Sequence, residues 1–397
     1  MSSEFASRPI VKLRPGKGRR LQTGTPWVFA DEIAMDRRTR KLPAGALVNL
    51  RDGTEDLGIA AFNGESQIAG RILDQNSDAA IDAAWFENRL QLAQDLRETL
   101  FDAPFYRLVH AEADGFPGVI IDRFGDAVVI QPNAAWVELQ LETLIEALQK
   151  VTGCSTVVVN ATSRIRKLEG LDERLEVVRG DLDGPVEVPM NGAVYLADLA
   201  TGQKTGLFFD QRPNHAFIQR LSKDARVLDV FCHVGGFGLA ALAGGARNVF
   251  AVDASAPALE LAARGAEIMG VSDRFETRKS DAFDALADLE GQIFDVVICD
   301  PPAFAPNKKA VDAGLRAYQR IARMAVGLVR PGGFLCLCSC SHAAGVDAFH
   351  KANTLGIARA GRQAALIHSG RAGPDHPVHS GLPETSYLKS LVYRISS

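Results

Sequence analysis

Residues 294–304, Phe-Asp-Val-Val-Ile-Cys-Asp-Pro-Pro-Ala-Phe, run an apolar stretch straight into an acid, two prolines and an aromatic ring. A short run of that composition reads as a strand buried on both faces, of the kind found in parallel sheets covered by helices. The Asp300 carboxylate then emerges at the sheet's carboxyl edge, where open α/β sheets place their ligands. Pro301 and Pro302 fix the turn, because proline holds φ at about −65° and donates no N–H, leaving stiff carbonyl acceptors. Phe304 adds a flat face. Asp-Pro-Pro alone is also an ordinary tight turn, so its meaning depends on the neighbouring strands.

Those neighbours fall in the order of a doubly wound parallel sheet. After Gln211, strands are predicted over 226–230, 248–252, 294–299 and 333–339, with helices over 239–243 and 256–269. The first strand passes into Asp229-Val-Phe-Cys-His-Val-Gly-Gly-Phe-Gly, where Gly235, Gly236 and Gly238 let backbone approach a ligand. This is the nucleotide-side loop of a Rossmann-like half, although it lacks the full GxGxxG spacing. Asp253 ends the second strand about 20 residues on, where a carboxylate can accept from both ribose hydroxyls. Asp281 follows the third strand and can receive an adenine amino group. Each acid alone is also a common surface or capping residue; three at successive strand ends make a pattern. A nicotinamide dinucleotide and S-adenosylmethionine can both use such a loop. The Asp300-Pro301-Pro302 turn, which suits a flat nucleobase beside a methyl donor, favours the second.

Cys336, Cys338 and Cys340 alternate along a predicted strand and so share one face, with only Cys340 at its carboxyl end. A thiolate there can attack C6 of a pyrimidine and make C5 a methyl acceptor. Cys336 and Cys338 read as small buried hydrophobes, and Cys232 and Cys299 as packing residues. The three alternating cysteines with His342 match no usual zinc spacing, so no metal is expected.

Upstream, residues 8–75 alternate short β patterns with glycine-bearing turns and predict a small barrel or half-barrel. Ala83–Leu100 places Leu90, Ala93, Leu96 and Leu100 on one helical stripe. A second α+β unit follows, with strands near 118–122, 127–131 and 156–160, a helix over 137–149, and a connector over 164–185. The first twenty residues hold Arg8, Lys12, Arg14, Lys17, Arg19 and Arg20 against Glu4 alone. That patch reads either as a phosphate-binding face or as a solvated arm. A net charge of −4 excludes a nonspecific polycation. Six cysteines without CxxC pairs favour a reducing compartment. Without a bilayer-length apolar run or a secretion signal, a cytoplasmic protein with no membrane partner is expected.

On Asp300-Pro-Pro-Ala-Phe, Ser339-Cys-Ser and Lys204-Thr-Gly-Leu-Phe-Phe-Asp-Gln-Arg, the chain resembles the RlmI-like family of ribosomal RNA large-subunit methyltransferases. The likeness extends to Pro26-Trp-Val-Phe, to the segment opening Ala111-Glu-Ala-Asp-Gly, to Lys167-Leu-Glu-Gly, to Asp375-His-Pro and to Tyr387-Leu-Lys. The resemblance implies a PUA-like RNA-binding domain (1–77), a central α+β domain with connector (78–187) and a class I methyltransferase domain with a Rossmann-like sheet (188–397). It implies S-adenosylmethionine as cofactor, large-subunit rRNA as partner, 5-methylcytosine as product, and a monomer or homodimer. By that likeness Cys340 is the attacking thiolate, Asp300 holds the cytosine, and Phe304 stacks near the base beside Pro301 and Pro302. Lys308 contacts phosphate, and Lys204 and Arg212 complete the substrate set. The cofactor set adds Phe231, His233, Ala254, Ala282 and Gln211 to the glycines, Asp253, Asp281 and Asp300. Relatives commonly carry Tyr-Thr before Gly-Gly-Phe where this chain has His233-Val234, which changes the polar groups of that loop. Two other readings remain at this point: methyl transfer to an exocyclic amine, which needs no Cys340, and a noncatalytic RNA-binding assembly factor.

Overall fold

The computed structural model describes residues 8–200 and 206–396. Counting only described residues, the chain forms two compact units. One is built from residues 8–184, 199–200 and 375–383, the other from 185–198, 206–374 and 384–396.

The first unit holds two five-stranded sheets. Strands β1 (Ile10–Lys12), β2 (Trp27–Phe29), β3 (Ala46–Asp52), β4 (Glu55–Phe62) and β5 (Ile68–Asp74) lie in the order β1-β3-β4-β5-β2. A Leu13–Ile33 bridge joins the extensions of the two edge strands and curls the sheet toward the expected half-barrel. The second sheet orders β6 (Phe105–His110), β7 (Val119–Phe124), β8 (Ala127–Pro132), β9 (Thr156–Ala161) and β10 (Arg174–Arg179) as β10-β9-β8-β7-β6. Strand β10 lies inside the stretch expected to be a connector: Arg174 pairs with Ala161 and the strand covers the sheet's edge. Its charged residues hid it, since an edge strand faces water and needs few apolar side chains. The helix expected over 137–149 is broken at Gln140 into Ala135–Leu139 and Leu141–Thr152.

Helix Ala83–Leu100 starts where the Asp82 carboxylate accepts from the Trp85 N–H, a side-chain N-cap. Its buried face is not the predicted stripe. Leu90 is fully buried, but Leu96 and Leu100 are 42% and 41% exposed. The face runs instead through Trp85, Phe86, Leu90, Ala93 and Arg97. An arginine at the last core position is what misled the pattern. The Arg97 guanidinium clasps both Asp114 oxygens at 2.6 and 2.7 Å and donates to the Asp375 carbonyl at 2.9 Å.

The second unit opens with the hairpin β11 (Val186–Met190) and β12 (Ala193–Ala197). Its main sheet comprises β13 (Arg226–Val230), β14 (Asn248–Asp253), β15 (Phe275–Lys279), β16 (Phe294–Cys299), β17 (Val329–Ser339), β18 (Ala364–Gly370) and β19 (Lys389–Ile395), ordered β15-β14-β13-β16-β17-β19-β18. The first five strands are parallel; β19 runs antiparallel to both β17 and β18. This is the doubly wound α/β sheet read from the sequence. Residues Val227, Leu228, Val230 and Val296–Cys299 are fully buried, as a sheet covered on both faces requires. The carboxyl ends of β13–β17 and the start of β19 share one edge.

Because Arg97 is buried with Asp114 as its carboxylate partner, Asp114→Ala leaves an uncompensated charge inside the first unit. The expected loss is about 3–5 kcal/mol. Urea denaturation followed by tryptophan fluorescence checks it, because Trp27, Trp85 and Trp136 all belong to that unit. An unchanged midpoint overturns it.

Candidate active site

At the end of β13 the backbone makes an alternating left-handed turn, with φ of 65° at Phe231, 50° at His233 and 82° at Gly235. Two non-glycine residues in that region are strained, and such strain collects at ligand-binding loops. Carboxylates hold the turn open. Asp229 Oδ2 accepts from the Gly238 N–H at 2.8 Å, and Asp253 Oδ2 accepts from the His233 N–H at 2.9 Å. Asp253 Oδ1 also takes the Ser255 N–H at 2.8 Å. The His233-Val234 departure therefore leaves this contact intact, since the backbone of His233 makes it, while Val234 is buried. Behind the loop, Tyr195 donates to the Gly236 carbonyl at 3.1 Å, and the His215 ring packs edge-on against Phe237. A Cβ on Gly236 would come within 2.9 Å of His215 Nε2, so this position needs glycine. Burial, aided by the Arg212 charge, pushes His215 down to about 3 and keeps it neutral.

Asp281 caps helix Ala282–Asp288 by accepting from Phe283 and Asp284, so it serves the bland role at least. Ala254 is exposed beside Asp253, and Ala282 is buried beside Asp281. Asp300 lies just past β16, its Oδ2 accepting from Gln211 Nε2 at 2.9 Å. Gln211 is in turn fixed by Asn214, which donates to Gln211 Oε1 at 2.7 Å and to the Arg371 carbonyl at 3.1 Å. Arg212 places its guanidinium 5.5 Å from the centre of the Phe209 ring. Lys204 lies outside the described residues.

Cys299 of β16 pairs with Leu337 of β17, so Asp300 is level with Cys338 and Cys340 follows two residues on. A strand rises about 3.3 Å per residue, so two residues carry Cys340, just past the end of β17, roughly 6–7 Å beyond the level of Asp300 at the same edge. Hydroxyls bind the two turns together. Ser339 Oγ donates to Tyr318 Oη at 2.9 Å, Tyr318 Oη and Ser341 Oγ are 2.8 Å apart, and Ser341 Oγ accepts the Ala305 N–H at 3.0 Å. The Phe304 N–H reaches Tyr318 Oη at 3.4 Å. Phe304 is half-buried, its ring 5.0 Å from Tyr318 and 6.4 Å from Phe283. Pro301 is buried, Pro302 exposed, and Lys308 exposed in a single turn capped by Asn307.

Cys340 is half-buried, whereas the other five cysteines are buried. Burial pushes the Cys232, Cys299 and Cys338 thiols up, away from reactivity. Beside Cys340 stands Lys389, the first residue of β19 and paired in register with Ser339. Sequence reasoning passed over it, although it closes the Tyr387-Leu-Lys match. Tyr318 was also missed; its tyrosine on the buried face of a helix, opposite a Ser-Cys-Ser turn, was the available signal. No cluster of metal-binding side chains occurs among the described residues, and no described helix is long and apolar enough to cross a membrane.

The donor set at this edge suits S-adenosylmethionine. The glycines of the left-handed turn leave room for close approach, carboxylates stand at the ends of three consecutive strands, and the buried Asp229 Oδ1 has no hydrogen-bond partner among the described residues. Comparisons with known proteins agree. Residues 138–394 match the S-adenosylmethionine-dependent methyltransferase family, and residues 11–75 match a PUA-like domain. A Shewanella denitrificans protein named ribosomal RNA large subunit methyltransferase I is 37% identical over 97% of this chain and 99% of its own. A Klebsiella pneumoniae protein of the same name is 36% identical over 98% of both. Among solved structures, a Streptococcus mutans chain named for S-adenosylmethionine-dependent methyl transfer superposes with a TM-score of 0.81 at 19% identity, over 97% of this chain and 100% of that one. A second, named as a methyltransferase and complexed with SAH, gives 0.80 at 20% identity over 97% and 99%. At such identities the structural likeness speaks for the fold.

Burial of Asp229, reinforced by the Asp253 charge and opposed by the Gly238 N–H, raises its carboxyl from 3.8 to about 7. The folded state thus binds this proton more tightly than the unfolded chain. The stability it brings is complete below about 4 and lost as pH rises through about 7. Asp229→Asn keeps an acceptor for Gly238 but removes the titration, so its melting temperature relative to the parent should climb between pH 4 and 7 and then level off. A difference independent of pH refutes this.

Proposed function

The chain belongs to the family of S-adenosylmethionine-dependent ribosomal RNA large subunit methyltransferases I, and on that premise we propose that it methylates C5 of a cytosine in large-subunit rRNA through a covalent bond from Cys340 to C6. The observation that carries this reading is the convergence of Cys340 and Asp300 at one sheet edge, beside the glycine loop.

S-adenosylmethionine, when bound, supplies an electrophilic methyl group. The residues that would hold it are Phe231, His233, Gly235, Gly236 and Gly238 of the loop, Asp253 with Ala254 at the ribose, Asp281 with Ala282 at the adenine, and Gln211 with Asp300 at the reactive end. Asp253 keeps free lone pairs beyond its two backbone bonds, so a loop-holding and a ribose-holding role are compatible.

A cytosine C5 is a poor nucleophile. Addition of the Cys340 thiolate to C6 converts the ring into an enamine whose C5 is electron-rich, while Asp300 holds the base through N3 or its amino group. Gln211 fixes the Asp300 carboxylate in orientation. Once C5 has taken the methyl group, its proton passes to water and Sγ departs from C6, which restores the aromatic ring and the thiolate. Phe304, seated against Tyr318 and Phe283, offers a stacking face, with Pro301 and Pro302 stiffening the turn. Lys308 meets phosphate, and Lys204 and Arg212 belong to the RNA-facing set. The division into 1–77, 78–187 and 188–397 gives the first segment the RNA-binding role and the last the chemistry.

Two outcomes are expected. Cys340→Ala eliminates methyl transfer to large-subunit rRNA while S-adenosylmethionine affinity, measured by calorimetry, stays within about twofold. RNA carrying 5-fluorocytosine forms a stable protein adduct, visible as a shifted band under denaturing conditions, because fluorine at C5 blocks release. Turnover by the alanine variant with no adduct would instead place the methyl group on an exocyclic amine.

A further inference from the structure

We propose that Lys389 holds Cys340 as a thiolate: its ammonium, clamped by two backbone carbonyls of the turn that carries the cysteine, is the counter-charge to the sulfur. This rests on the covalent reading above, which needs a thiolate and does not say what forms it.

The clamp is specific. Lys389 Nζ donates to the Ser341 carbonyl at 2.6 Å and to the Ala344 carbonyl at 2.8 Å, one and four residues beyond Cys340. Register places it there, since β19 begins at the sheet edge where β17 ends, with Lys389 opposite Ser339. The side chain is buried, yet no carboxylate among the described residues lies within ion-pair distance of Nζ. Lysines are almost never buried without a partner. Two carbonyls occupy two of the three N–H groups and leave the positive charge unneutralised. Burial lowers the Lys389 pKa, and the charge of Cys340 raises it. Each therefore favours the ionised form of the other.

Three other titratable side chains near the sulfur, taken among the described residues, do not supply that charge. His342, on the same turn, is pushed down by burial and by Lys389 itself, so it is neutral near pH 7. Tyr318, from helix Val311–Val326, is pushed up by burial and by Cys340, and stays a neutral phenol. Asp300, at the neighbouring strand end, is an acidic side chain and brings no positive charge. On ionisation the Sγ proton leaves to solvent and the ammonium keeps its own three, so charge and protons balance. Lys389 acts through Cys340 and is a positioning residue.

The test is the pH dependence of Cys340 alkylation by iodoacetamide in the folded full-length protein without RNA, read by peptide mass spectrometry. The parent midpoint should lie below the value of about 8.5 for free cysteine. A parent midpoint at or above that value overturns the proposal and needs no variant. Lys389→Met should raise the midpoint by about one unit or more, cutting alkylation at pH 7 roughly tenfold. Lys389→Arg should retain most of the depression. Methyl transfer by Lys389→Met should recover as pH is raised, which repair of a merely structural staple would not produce. If Lys389→Met loses methyl transfer at every pH while its alkylation midpoint is unchanged, Lys389 only staples the turn. Failure here with a 5-fluorocytosine adduct still forming leaves the covalent reading standing. A depressed midpoint with no adduct keeps the ion pair and removes the nucleophile's role.

Discussion

Parallel pairing of β16 with β17 is the constraint on which the candidate site depends. The register Cys299 to Leu337 sets how far beyond Asp300 the next strand delivers Cys340, and a slip of one residue would turn Cys340 to the opposite face. Strand ends are where such pairing frays, so the edge needs its own fastening. Tyr318 provides it from the helix beneath, its single hydroxyl meeting Ser339, Ser341 and the Phe304 amide. Each of these groups is buried or half-buried, and an unmade hydrogen bond here would cost about 1–3 kcal/mol. The network is therefore held together by the penalty of opening it as much as by the bonds themselves.

A different polar network organises the first unit, and it accounts for the segments that carry the family likeness. Arg71 reaches Glu112 and Glu169 at 3.1 Å each. Glu169 also accepts from Asn63 and Ser66, and Glu112 accepts from Trp27 Nε1 at 2.8 Å. Asp375 accepts the Arg107 N–H at 3.1 Å. Trp27, Glu112, Glu169 and Asp375 come from four separated motifs, yet all serve buried ion pairs or their hydrogen-bonded rim. What looks like a scatter of signature residues along the chain is two polar clusters, one joining Trp27, Arg71, Glu112 and Glu169 and the other joining Arg97, Arg107, Asp114 and Asp375. Losing one strands another, so a substitution at any of them carries the cost of an unpaired buried polar group.

The sequence made the doubly wound sheet legible because buried parallel strands are apolar throughout and end in acids or glycines that have no other reason to recur. Gly235, Asp253 and Asp300 were singled out on that pattern, and Cys340 by its place at the carboxyl end of a strand. What escaped was anything whose signal lies in the partner. Strand β10 is polar because one side faces water, and the Ala83–Leu100 stripe was misplaced because Arg97 occupies a core position that only Asp114 makes tolerable. The N-terminal basic cluster is likewise divided by its contacts. Arg8 donates to the Ser77 and Ala79 carbonyls and Arg14 to that of Ile33, so they brace the fold, while Lys17 and Arg19 stay exposed. Composition counts these charges alike; geometry does not.

Lys389 shows the same principle at the site itself. A carboxylate beside it would have satisfied the ammonium and left the neighbouring thiol with no electrostatic reason to ionise. Carbonyl oxygens behave differently: as dipoles they orient the ammonium and offset part of its desolvation without cancelling its net charge. In a half-buried setting that residual charge acts across a short distance through a medium less screening than water. The carboxyl group of Asp300 at the neighbouring strand end adds to the need for it, because two negative groups at one sheet edge repel unless a cation stands between or beside them. On the proposed reading, the carbonyl clamp meets two demands that burial sets against each other: a thiol desolvated enough to take a flat base, and a sulfur that ionises nonetheless.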